Sequence, residues 1–79
     1  MFTIGQVLTL SWQDITAVNS TAGHYRVEVT WALDHYRVRV WRRIQEPEKL
    51  VRVHSAFFAR TAVKTANRML RHYGRMESL

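Results

Sequence analysis

Apolar and polar residues alternate along two neighbouring segments of the chain, HYRVEVTW at 24–31 and HYRVRVWRR at 35–43. A period of two is typical of a strand that buries one face. If strands at about 24–31 and 36–43 pair antiparallel around ALDH at 32–35, with Trp31 opposite Tyr36, valines face valines across the pair. A slip of one residue would place valines opposite charged side chains, which the hydrophobic pattern opposes. The repeated string HYRV is therefore interpreted as strand patterning rather than as a duplicated motif.

This register predicts two faces of different character. The core-facing residues are Tyr25, Val27, Val29, Trp31, Tyr36, Val38 and Val40. The solvent-facing residues are His24, Arg26, Glu28, Thr30, Arg37, Arg39, Trp41 and Arg43. On the solvent face Glu28 lies opposite Arg39. Arg26 lies opposite Trp41, which favours a cation–π contact.

The segments that flank the hairpin predict two further strands. Apolar positions alternate in FTIGQVLTL at about 2–10 and in LVRVH at 50–54. NSTAG at 19–23 has turn composition, and QEPEK, which holds the only proline, ends the second hairpin strand. The alternation changes phase in SWQDITAV at 11–18, so a bulge, a turn and one helical turn capped by Ser11 all remain open there.

The sequence AFFARTAVKTANRMLRHY at about 56–73 predicts one amphipathic helix, with Ser55 as its N-cap and Gly74 at its end. Its apolar face consists of Phe58, Ala59, Ala62, Val63, Ala66, Met69, Leu70 and Tyr73. The small alanines in the middle of this face favour close packing on a sheet. The predicted fold is α+β: one domain over 1–79, with a three- to four-stranded antiparallel sheet and one C-terminal helix on its apolar face.

The composition gives the chain a strong positive charge and argues against several kinds of functional site. Twelve Lys and Arg against six Asp and Glu give a formal net charge of +6, and ten of the twelve bases are Arg. The four His lack metal-binding spacing, Cys is absent, and no Gly-rich phosphate loop is present. We therefore expect no metal, no cofactor and no catalytic residues.

The apolar runs are shorter than a membrane span, and the N-terminus lacks the charged start of a signal peptide. We therefore expect a cytoplasmic protein without a membrane partner.

Two basic surfaces are candidates for binding a partner. The first, on the outer face of the sheet, consists of Arg26, Arg37, Arg39, Trp41 and Arg43, with Arg52 and His54 as an extension. The second, on the polar face of the helix, consists of Phe57, Arg60, Lys64, Arg68 and Arg71, with Arg75 if the helix extends further. The sheet surface is favoured because adjacent strands lie about 5 Å apart and concentrate its charge. A plain solvated face is the alternative for both, and a second helix or an oligomer partner is an alternative cover for Trp41.

The strand–strand–strand–helix order resembles the second half of a double-stranded-RNA-binding domain. That family begins its last helix with Ser-Lys-Lys-x-Ala-Lys, and Ser55, Ala59 and Arg60 match this pattern, whereas Ala56 and Phe57 replace the two phosphate-binding lysines. The family's first helix and its Gly-Pro-x-His loop have no counterpart. The same order also resembles the arm-type DNA-binding modules of phage integrases.

In its short length, single domain and lack of enzymatic motifs the chain also resembles the anti-CRISPR proteins of phages and mobile elements. The resemblance implies a non-enzymatic inhibitor that docks on a protein subunit of a nucleic-acid-processing effector complex and blocks its nucleic-acid binding. If the chain is phage-encoded, its expected location is the host cytosol. A direct DNA- or RNA-binding module is the alternative, and a homodimer through a sheet edge or the Trp41 face is a further expectation.

Overall fold

The computed structural model describes residues 1–12 and 16–77 and has an α+β fold. Its elements are helix α1 (Ile4–Leu8), a 3₁₀ turn (Thr9–Ser11), strands β1 (Val18–Ala22), β2 (Tyr25–Trp31), β3 (Tyr36–Arg42) and β4 (Lys49–Ala56), and helix α2 (Ala59–Glu77). The strands form one antiparallel sheet in the order β1-β2-β3-β4. Helix α2 packs against all four strands on one face of this sheet. The predicted fold class is confirmed.

The predicted hairpin register is confirmed residue by residue. Trp31 lies opposite Tyr36, and the four valines pair as expected, Val29 with Val38 and Val27 with Val40. All four valines are completely buried, so the alternation in the sequence does reflect a one-sided core. The strands end slightly inside the predicted limits of 24–31 and 36–43, a difference of one residue at one end of each.

The apolar face of α2 closes the core over the sheet. Ala62 and Ala66 are fully buried, and Met69, Leu70 and Tyr73 are buried as predicted. Because alanine has almost no side chain, it lets the helix axis approach the valines closely without leaving voids. Near the C-terminal end of α2 the ring of Tyr73 packs against that of Tyr25 with their centroids 4.6 Å apart.

The predicted strand at 2–10 is wrong, since these residues form α1 and the 3₁₀ turn. Thr3 and Gln6 form a reciprocal capping box. The backbone N–H of Thr3 donates to Gln6 Oε1 at 2.9 Å, and that of Gln6 donates to Thr3 Oγ1 at 3.2 Å. Phe2, Val7 and Leu10 are buried, a spacing that suits a helical segment rather than alternation. The Thr-x-x-Gln spacing of a capping box indicated this helix in the sequence, but the strand prediction considered only the alternation of apolar residues.

The interpretation of 19–23 as a turn is also wrong, because most of this segment lies in β1. Ser20 pairs with Val27 and Ala22 with Tyr25, which leaves Gly23 and His24 as a two-residue connection. Gly23 has φ 60°, a left-handed conformation that glycine adopts without steric cost. Of the ambiguous segment 11–18, Ser11 ends the 3₁₀ turn, and residues 13–15 lie outside the described residues.

The last strand ends later than predicted, and the last helix both begins and ends later than predicted. Strand β4 continues past 54, because Ser55 pairs with Arg37 and Ala56 with Tyr36. Ser55 is therefore a strand residue and does not cap the helix, which begins at Ala59 rather than 56. At the other end the helix does not stop before Gly74 but continues to Glu77.

Candidate functional site

The outer sheet surface is organised around the guanidinium group of Arg26. Its Nε and Nη2 donate to the two carboxylate oxygens of Glu48, each at 3.1 Å, and its Nη1 lies 3.4 Å from Glu28 Oε2. Nη1 also donates to the side chain of Asn19 on β1. A forked contact of this kind is the strongest geometry for an arginine–carboxylate pair, so Arg26 is fixed within the protein.

Trp41 is half-buried rather than fully exposed, and its cover comes from the same chain. The guanidinium of Arg26 lies 5.5 Å from the centre of the Trp41 ring, as the register predicted. The indole Nε1–H donates to Glu28 Oε1 at 3.3 Å. A partner was expected to cover Trp41. Much of that cover comes instead from the cation–π contact with Arg26 and the indole hydrogen bond to Glu28.

The same two carboxylates neutralise the neighbouring arginines. Arg39 lies 3.6 Å from Glu28, and Arg43 lies 3.7 Å from Glu48. Hydrogen bonding to Glu48 raises the pKa of Arg26 above its ordinary value, and hydrogen bonding from Arg26 lowers the pKa of Glu48 below its own. Of the four arginines on this surface only Arg37 forms no ion pair within residues 1–12 and 16–77.

The β4 part of the outer sheet surface is apolar. Leu50 lies opposite Trp41 and Val53 lies opposite Arg39, with exposed fractions of 43% and 46%. The proposed extension of the basic surface through Arg52 and His54 is wrong. Those residues pair with Val40 and Val38, and residues paired across an antiparallel ladder share a face, which here is the helix side.

The second basic surface lies along the solvent side of α2. We name its five cations the cationic stripe: Arg60, Lys64, Arg68, Arg71 and Arg75. All five are exposed, and at about 100° per residue they fall within an arc of about 80°, opposite the buried face. A rise of about 1.5 Å per residue gives the stripe a length of about 22 Å.

The cationic stripe differs from the sheet surface in its lack of counter-charge. Within the described part of the chain, none of its five side chains forms an ion pair or hydrogen bond with another residue. The cause is visible in the sequence, because from Lys49 to Met76 the chain contains seven basic residues and no acidic one. The prediction from sequence named four of these cations outright and added Arg75 on the condition that the helix extends past Gly74, which it does. It ranked this surface second because adjacent strands concentrate the sheet arginines. Glu28 was placed opposite Arg39, but the contacts of Glu48 with Arg26 and Arg43 were not predicted.

Two exposed phenylalanines lie in the turn that connects β4 to the stripe. Phe57 and Phe58 are 73% and 72% exposed. Phe58 was predicted to face the core, but it precedes the helix, and its carbonyl accepts the N–H of Ala62 at 3.0 Å. With Ile4, Arg60 and Thr61 it lines a groove of about 500 Å³ between the two helices.

Other kinds of site have little support in the part of the chain that is described. No group of three or more His, Asp or Glu side chains there is placed to hold a metal ion. None of the helices described is long and apolar enough to cross a membrane. Comparisons of the chain with protein-family models, with curated proteins and with solved structures found no match.

Proposed function

We propose that this chain is a non-enzymatic, cytosolic binding protein whose cationic stripe holds the phosphate backbone of a nucleic acid. The observation that carries the proposal is the line of five exposed cations on α2, without an ion pair among the described residues. A polyanion gains most from cations that are not already paired, because binding then replaces condensed counterions without breaking contacts inside the protein. Four of the five are arginines, whose planar fork suits phosphate oxygens.

The helix also holds the cations of the stripe at a fixed spacing along its axis. Arg60, Lys64 and Arg68 are four residues apart, which separates them by about 6 Å along the helix axis. The helix itself is fixed by the buried Ala62, Ala66 and Met69 on its other side. Because the backbone is already ordered before binding, the conformational entropy lost on binding is small.

The test is a salt titration of binding to a short DNA duplex, followed by fluorescence anisotropy. If all five cations contact phosphates, the plot of log K against log salt has a slope of about −4.5, since each contact contributes about −0.9. Arg60→Gln, Lys64→Gln and Arg68→Gln together leave two contacts, so the slope becomes less steep, at about −2. The matched control removes three cations of the sheet surface, with Arg37→Gln, Arg39→Gln and Arg43→Gln.

Both triple variants have the same net charge, so the comparison separates the position of the charges from their number. We expect the stripe variant to lose most of the affinity and the sheet variant to stay close to the unmodified protein. Equal losses would mean that only total charge matters. A larger loss from the sheet variant would transfer the site to the outer sheet surface and overturn the proposal.

A second candidate function is docking on a protein subunit of a nucleic-acid-processing effector, in the manner of an anti-CRISPR inhibitor. The observation that favours it is the preorganised outer sheet surface, where Trp41 lies opposite the exposed Leu50. The exposed Val53 and the unpaired Arg37 lie further along the same face. Aromatic and arginine side chains held in place by their own network are typical of binding hot spots. In this case Trp41→Ala costs about 2 kcal/mol or more of partner affinity, whereas Lys64→Gln costs almost none.

A further inference from the structure

Two phenylalanines in the turn before α2 leave most of their side-chain surface exposed. A phenylalanine that is nearly three-quarters exposed contributes little to the core and leaves apolar surface in water. Phe57 and Phe58 are adjacent in the chain, and both are in this state. The ring of Phe57 makes an edge contact with His35, at a centroid distance of 6.4 Å. Two aromatic faces are thus available to a ligand.

The ring of Phe58 adjoins the first cation of the stripe, and Phe57 is its neighbour in the chain. Phe58 lines the groove together with Arg60, and Ile4 of α1 contributes an apolar wall. The groove volume of about 500 Å³ lies within the range of roughly 300–1,000 Å³ that is usual for small-molecule sites, so it has room for a planar heterocycle. Aromatic surface and phosphate-binding charge therefore lie next to each other and continue along one helix.

From this juxtaposition we infer that the nucleic acid is single-stranded, with unpaired bases stacked on Phe57 and Phe58 and the following phosphates bound along the cationic stripe. The inference rests on the proposed function and adds the substrate class to it. Unpaired bases expose their faces to a protein ring, whereas the bases of a duplex are stacked on one another and present only their edges. The charge complementarity of the stripe selects a polyanion over an apolar protein segment as the occupant.

The experiment compares a thymidine oligonucleotide of about 12 nucleotides, a duplex of the same length, and heparin, which carries sulfates but no bases. The variant is Phe57→Leu with Phe58→Leu, which keeps apolar surface and removes the aromatic rings. Phe58→Tyr keeps a ring and should retain most of the binding. Ile44→Ala is the matched control, because Ile44 is another exposed apolar residue, 55% exposed, in the loop at the opposite end of β3.

We expect the double leucine variant to bind the single strand at least about 25-fold more weakly. Each of the two stacked bases contributes roughly 1–3 kcal/mol, and each factor of ten in affinity corresponds to about 1.4 kcal/mol. Its affinity for the duplex and for heparin should be unchanged, and so should the salt dependence of single-strand binding, because no charge has been removed. Ile44→Ala should bind all three ligands normally.

The result that would overturn the inference is equal affinity of the double leucine variant and the unmodified protein for the single strand. An equal loss for heparin would also overturn it, because heparin has no base to stack. In both cases the proposed function still stands if the glutamine variants of the stripe lose binding. If those variants bind every ligand normally, the proposed function itself fails. Tight binding of an acidic peptide that resists competition by the single strand would assign the groove to a protein partner instead.

Discussion

The outer sheet surface and the cationic stripe of α2 are both rich in arginine, yet they present very different charge to a partner. On the sheet, Glu28 and Glu48 hold Arg26, Arg39 and Arg43 in ion pairs that lie on adjacent strands and the β3–β4 loop. On the helix, five cations stand in a line, and the described residues offer them no carboxylate. The difference shows that available charge depends on where the acids are placed and not on how many bases a surface contains.

The largest expected effect concerns which strand residues face the core and which lie on the outer sheet surface. Val38→Asp should unfold the domain, because Val38 is completely buried and an unpaired buried charge costs several kcal/mol. Arg37→Asp, one residue earlier and on the outer face, should remain folded with a change in unfolding free energy within about 1 kcal/mol. Chemical denaturation followed by circular dichroism measures both, and a folded Val38→Asp protein would contradict the assigned faces.

A smaller effect tests the two sides of α2 in the same way. Ala66→Leu adds volume where the helix meets the sheet and should cost about 1–3 kcal/mol of unfolding free energy, since Ala66 is fully buried. Lys64→Leu, two residues earlier on the stripe, should change stability by only about 0.5 kcal/mol. Thermal melts compare the two variants. Equal losses would mean that the stripe is packed against the rest of the protein and is not available for binding.

Part of this comparison could be predicted from the sequence. Alternation over two adjacent segments determined the hairpin register, because one buried face admits only one pairing of Val27, Val29, Val38 and Val40. The same pattern placed Arg26 over Trp41 and Glu28 beside Arg39. The helix faces also followed from spacing, since residues on a helix are separated by a fixed rotation.

Other features depended on contacts that periodicity does not encode. Residues 4–8 form a helix because Thr3 and Gln6 cap it and Asn67 of α2 binds the backbone of Phe2, at 2.9 Å to its N–H. The forked contact between Arg26 and Glu48 joins residues 22 positions apart across a loop. That contact makes the sheet surface less available than its arginine content suggested, and no local pattern predicts it.

The comparison can be sharpened by removing the acids of the sheet surface. Glu28→Gln with Glu48→Gln should release Arg26, Arg39 and Arg43, and heparin affinity should rise with a steeper salt dependence. Arg39→Gln and Arg43→Gln, nearly silent in the unmodified protein, should then reduce that affinity. If the double glutamine variant binds heparin no better than the unmodified protein, the glutamates are not what limits the sheet surface.

The smallest expected effect is a pH dependence of stability that arises from the Arg26–Glu48 pair on the sheet surface. The hydrogen bond from Arg26 lowers the folded-state pKa of Glu48 below its ordinary value of 4.5. The stability that this pairing contributes is therefore present above pH 4.5 and is lost as pH falls through the lower folded-state pKa. Glu48→Gln should flatten this part of the melting-temperature profile, whereas Glu46→Gln in the same loop should leave it unchanged. A profile with the same slope in both variants would show that the Arg26–Glu48 pair contributes no acid dependence.

The most direct test of the central claim is an NMR titration that follows the Nε–Hε signals of the arginines while heparin is added. Because the cations of the stripe are not held by carboxylates, the signals of Arg60, Arg68, Arg71 and Arg75 should shift as the polyanion binds. Those of Arg26 and Arg39 should stay in place, since their ion pairs with glutamate persist. Shifts concentrated on Arg26, Arg37 and Arg39, with the helix signals unmoved, would contradict the account.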